Sequence, residues 1–157
     1  MAVSVSARVT QRVTIPNDAV EQSLRETVKM AAGAGFDQSQ VIAGTFADTS
    51  DLLHSGFPPR EVSLGILGKI RVEWGYTAPH ALPVEFGSRP HWAPIEPLKG
   101  WARRVLGDES AAYAVRQKIA DRGTEPHPFV RPGILVMTRV LRGSGIRPRL
   151  KANIPGL

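Results

Sequence analysis

The chain has no cysteine. That excludes disulfide staples, thiolate nucleophiles and thiolate metal ligands, and it fits a reducing cytoplasm. Aromatic residues make up only 6% of the sequence, with three tryptophans among them. No apolar run approaches the ~18 residues a membrane-spanning helix needs. The stretch MAVSVSARVT lacks both a basic n-region and a continuous apolar core, so no secretory signal is expected. Acidic residues are missing from the C-terminal segment: none occurs from Arg139 onward.

What is present describes a folded chain. With 157 residues, it is long enough for one domain that buries about two-thirds of its unfolded surface. A composition 42% hydrophobic and 22% charged argues against wholesale disorder. Fifteen glycines and thirteen prolines predict many turns. The net charge of +6 is uneven: residues 1–97 hold 8 Lys and Arg against 10 acids, and residues 98–157 hold 12 against 4. Such a basic end is either a solubilising terminus or a surface for polyanions or an acidic protein.

Periodicity supplies the elements. Val3, Val5, Ala7, Val9, Val13 and Ile15 alternate with polar residues, which predicts a half-buried strand ending at Pro16. Asp18 and Glu21 then form a capping-box pattern. Val20, Leu24, Val28 and Ala31 follow at helical spacing, with a stop expected at Gly33 and Gly35. A helical turn around Leu52 and Leu53 precedes a Pro-Pro break. Val62, Leu64 and Ile66, then Ile70, Val72 and Trp74, alternate about Gly68 as an antiparallel hairpin. Ala81 to Phe86 reads as another short strand. Pro97 opens a helix whose stripe is Leu98, Trp101, Ala102, Val105 and Leu106. Asp108 caps a second helix carrying Ala112, Val115 and Ile119. Pro132 opens a third, with Ile134, Leu135, Thr138 and Leu141 inward.

The expectation is therefore an α+β fold: an antiparallel sheet of about four strands with helices packed on one face, a helical insertion, and an extended C-terminal arm. One domain spans 1–142 and a basic arm spans 143–157.

No constellation carries chemistry. His54, His80, His91 and His127 lack the i, i+4 spacing of helical metal ligands. No G-x-S-x-G elbow is present, and of Glu73, Glu85 and Glu96 only Glu85, between Val84 and Phe86, hints at a special environment. No enzyme activity, cofactor or metal is expected. Nucleic-acid reading motifs are also missing, so any such contact would be to backbone phosphates.

Four blocks carry a family likeness. YTAPHALPVEFGSRP resembles the Y-x-x-x-(x)-V-E-F-G-[ST] signature of the neck or tail-completion proteins of long-tailed bacteriophages. TSDLLHSG resembles their T-G-x-L-x-x-S motif, with Ser50 where glycine is usual. APIEPLKGWARRVLG and VRQKIADRGTEPHPFVRPGI resemble the family's helical insertion and closing Gly-Thr-x-x-x-Pro-Phe segment. The blocks fall in family order over residues 17–142.

The resemblance implies a non-enzymatic virion protein, made in the host bacterial cytoplasm and without a membrane. It would sit at the head–tail junction as a homo-oligomeric ring around the DNA channel. Its partners would be a tail terminator or tail-tube protein and the head connector. Subunit contacts are expected at Trp92, Ile95, Trp101, Phe129 and Arg131, with core packing the alternative for Trp92. Tyr76, Glu85, Phe86 and Gly87 are expected to serve the fold. Outside the resemblance, the basic charge of Arg139, Arg142, Arg147, Arg149 and Lys151 leads to the expectation that the tail meets channel DNA or an acidic neighbour. A tail terminator and a non-specific nucleic-acid-binding protein are the alternative functions.

Overall fold

The computed structural model describes residues 5–12, 18–46, 48–62, 69–145 and 149–153. The chain divides into two compact units, one formed by residues 1–81 with 129–157 and the other by 82–128.

The first unit holds a sheet of β1 (Val5–Arg12), β2 (Gly56–Glu61), β3 (Lys69–Tyr76) and β4 (Arg149–Asn153). The strand order is β2-β3-β1-β4 with every pairing antiparallel. Alternation in β3 sends Ile70, Val72, Trp74 and Tyr76 into the core, each at most 1% exposed. The β2–β3 ladder shifts register between Phe57 and Arg60. That irregularity lets Pro58 and Pro59 sit in a strand, which an edge position tolerates. The Pro-Pro expected to break the chain therefore lies inside β2. Of the expected 62–66 strand, Val62 extends the ladder by donating to the Arg71 carbonyl at 2.8 Å, while Leu64 and Ile66 lie outside the described residues.

Two helices cover this sheet: α1 (Asp18–Gly44) on β2 and β3, and α6 (Val130–Gly143) on β1. The stop expected at Gly33 and Gly35 does not occur, and the helix runs nine residues beyond Gly35. Gly35 meets Gly133 of α6 backbone to backbone, so that a Cβ on Gly35 would lie 2.8 Å from the Gly133 carbonyl oxygen. Glycine's helix-propensity deficit of about 1 kcal/mol is outweighed by the closeness of this crossing. Around it Val28, Ala31, Ala32 and Ser39 of α1 are buried with Val130, Met137 and Leu141 of α6. Leu135, expected inward, is 67% exposed.

Tyr76 donates to Ser39 Oγ at 3.0 Å, and burial pushes its phenol up to about 12 against the smaller opposing pull of that bond. Its ring meets Phe129 edge-on at 4.8 Å. A short helix, α2 (Asp51–His54), begins after Ser50, which adopts φ 60°. Ser55 closes it, and its carbonyl accepts from the Thr77 N–H at 3.0 Å. The TSDLLHSG block is thus tied to the end of β3. Arg25 and Lys29 of α1 both ion-pair Glu61 of β2.

Two expectations about element type change. Ala81 to Phe86 forms a helix, α3 (Ala81–Phe86), rather than a strand. Six residues cannot reveal a period, and Pro83 fits a first helical turn. Within the segment expected as an extended arm, residues 149–153 form β4, hydrogen-bonded to β1. The mixed α+β class stands. No helix among the described residues is long and apolar enough to cross a membrane.

Candidate interaction surface

The second unit contains α4 (Ile95–Val105) and α5 (Ala111–Arg122). Two sequence blocks far apart in the chain meet here. Ser88 and Thr124 form an isolated antiparallel bridge, each N–H donating to the other's carbonyl at 3.2 Å, with the Thr124 hydroxyl 3.0 Å from Ser88 Oγ. The flanking Gly87 and Gly123 have φ of 73° and 75°. A side chain at either position would be strained and would strike the opposing backbone. That geometry explains the pairing of the E-F-G-S and G-T blocks.

The proline-rich segment between them is pinned at several points. His91 N–H donates to the Ile119 carbonyl at 3.3 Å, and His91 Nδ1 lies 2.9 Å from the Arg89 carbonyl. His127 N–H donates to the Val84 carbonyl at 2.7 Å. Glu85 is buried. Among the described residues no group of three His, Asp or Glu side chains is placed to hold a metal ion.

Braced in this way, Trp92 is 63% exposed, with the Arg116 guanidinium 5.1 Å above its ring. Lys99 Nζ stands 5.9 Å from the Tyr113 ring, itself 58% exposed. Hydrogen bonding to Glu96 raises the Lys99 ammonium above its usual range. Arg103 pairs with Glu109 and holds its carboxyl below the ordinary range, and Ser110 does the same for Asp108. A groove of about 600 Å³ is lined by Trp101, Ile119, Arg122, Thr124, Glu125 and His127.

The expected contact residues separate. Trp92 is presented to solvent, while Ile95 and Trp101 are half-buried in α4. Phe129 is corrected: it is fully buried, packed on Tyr76 and Phe46, and so is core rather than a contact. Tyr76 and Glu85 are buried, and Phe86 is half-buried. Arg131, Arg139 and Arg142 are exposed on α6. Arg149 and Lys151 stand in β4, and Arg147 lies outside the described residues.

Val105 and Leu106, expected inward, are 53% and 51% exposed, at the C-terminal end of α4. Tyr113 and Arg116 carried no signal in the sequence. Each is significant only through its neighbour in space. The sequence matches no protein-family model, and neither a curated protein nor a solved structure matches it.

Proposed function

We propose that this chain is a structural subunit of a bacteriophage head–tail junction, a neck or tail-completion protein assembling as a ring around the DNA channel. The motif resemblance supplies the class. One observation supports assembly: residues 82–128 bury completely only Glu85 and small residues such as Ala102 and Ala112, yet expose Trp92, Val105, Leu106 and Tyr113. A unit of this size with so thin a core is marginal by itself, and four large apolar side chains in solvent are an incomplete packing surface. Each contributes about 1.5–3 kcal/mol when buried, and Trp, Tyr and Arg are the residues that dominate protein contacts. Trp92 sits on a segment stiffened by Pro90, Pro94 and Pro97, which lowers the entropy lost on binding.

Its neighbours in this reading are the head connector on one side and a tail terminator or tail-tube protein on the other. Mass photometry of the purified protein, together with cryo-EM of the particle, tests the proposal. A closed oligomer located at the neck is expected. A protein that stays monomeric at high concentration and is absent from virions refutes it.

A further inference from the structure

We propose that two helix faces of the first unit, the outer stripe of α1 and the outer stripe of α6, dock on one another between successive copies of this chain. In the reading of the chain as a ring subunit, on which this rests, that contact joins one subunit to the next.

Helical geometry defines the first stripe. Glu26, Met30, Gly33, Asp37 and Val41 follow one another at intervals of four, three, four and four residues, which keeps them on one side of α1. The other side carries the buried Val28, Ala32, Ser39 and Ala43. Met30 and Val41 are 61% and 67% exposed, Glu26 and Asp37 are exposed, and a Cβ on Gly33 would meet nothing within 4 Å. Lys29, beside the stripe, is held by Glu61 at 3.1 Å. The outward face is therefore acidic and apolar.

The second stripe has the opposite sign. Arg131, Leu135, Arg139 and Arg142 are exposed on α6, across from the buried Val130, Gly133, Met137 and Leu141. No acidic residue occurs in this helix, and Leu135 is as open to solvent as Val41. No ion pair joins Asp37, Arg139 or Arg142 to another described residue.

The spacings match. Each stripe places an apolar side chain four residues after one charge and seven before another: Glu26, Met30 and Asp37 on α1, and Arg131, Leu135 and Arg142 on α6. At 1.5 Å per residue, the outer charges of each set lie about 16.5 Å apart along their helix. Two helices laid side by side in the same direction then bring Glu26 to Arg131, Met30 to Leu135 and Asp37 to Arg142. An apolar contact flanked by opposite charges is the anatomy of a protein interface, and open Gly33 lets the backbones approach. The signs select the occupant. Either stripe against its own kind would oppose like charges, which is costly. Because the two stripes are different surfaces, one of each stays open after a contact forms. The contact is heterologous and propagates until a ring closes.

The chain's lack of cysteine makes a directed cross-link possible. Met30→Cys and Leu135→Cys chains, mixed and oxidised, should form a disulfide dimer at least about tenfold faster than either chain alone. A charge exchange gives the second readout. Asp37→Arg and Arg142→Asp should each weaken self-association about tenfold in sedimentation velocity, because like charges then face each other. Both substitutions in one chain should restore it to within about threefold of the parent. Circular dichroism melts should match the parent throughout, since both sites are exposed. An oligomer that survives both single reversals overturns this contact and leaves the ring reading standing on another surface. Dimers formed as fast by Met30→Cys alone as by the mixture would make the contact two-fold and overturn it as well. A parent that is monomeric in solution and missing from particles defeats the ring reading and the contact with it.

Discussion

Two glycines two residues apart in α1 should respond to alanine with opposite signs. At Gly33 a Cβ would meet nothing within 4 Å. Gly33→Ala then gains only the helix-propensity difference, about 0.8–1 kcal/mol. At Gly35 the same atom would lie 2.8 Å from the Gly133 carbonyl oxygen and 3.0 Å from Met137 Cβ. The first is backbone and the second is the base of a fully buried side chain, so neither can swing aside. The helices must part, disturbing the packing of Ala31, Ala32, Ser39 and Leu141. Overpacking of that kind costs about 1–3 kcal/mol, and subtracting the propensity gain leaves Gly35→Ala destabilised by up to about 2 kcal/mol. Relative to Gly33→Ala the gap is about 1–3 kcal/mol, several degrees in Tm for a chain of this length. Urea unfolding followed by tryptophan fluorescence measures it, since Trp74 is buried against the same crossing. If Gly35→Ala is as stable as Gly33→Ala, the helices do not meet backbone to backbone and the account of α1 fails.

Ser50, at φ 60°, occupies a conformation that costs a side-chain-bearing residue about 1–2 kcal/mol. Ser50→Gly should therefore raise stability by about 0.5–1 kcal/mol after the added unfolded-state entropy, read as a shift in the urea midpoint. Tyr76 binds its proton more tightly folded than unfolded, with its pKa raised from 10.0 to about 12. The resulting stability is complete below pH 10 and is lost as pH climbs toward 12, at roughly 1.4 kcal/mol per unit. Tyr76→Phe should flatten that alkaline decline while lowering stability near neutrality by about 1 kcal/mol through the lost bond to Ser39; unfolding curves from pH 8 to about 11.5 test both. Trp92→Ala and Leu106→Ser should change monomer unfolding by under about 0.5 kcal/mol, as expected of exposed sites, yet lower the oligomeric fraction in mass photometry. Loss of monomer stability instead would make these residues core. Gly123→Ala should destabilise by more than about 1 kcal/mol, and a circular dichroism melt unchanged from the parent would contradict the Ser88–Thr124 bridge.

The sequence by itself determined whatever depends on neighbours along the chain. Alternation marked β1 and the buried row Ile70, Val72 and Trp74, because a pleat repeats every two residues and one face must leave water. The α4 and α5 helices were legible from apolar spacing and from Gly123 at the end of the second, and Trp92 stood out through its bracing prolines. Tertiary structure decided the rest. Gly35 looks like a helix stop until Gly133 comes within backbone contact. Ala81 to Phe86 is too short for its period to choose between strand and helix. The segment 149–153 carries no strong strand signal, and the open hydrogen-bonding edge of β1 makes it one. Phe129 beside prolines resembles a surface anchor, but Tyr76 and Phe46 enclose it. Local patterns record which side of an element avoids water; which partner covers that side, and which charges it gathers, depends on residues brought together from distant parts of the chain.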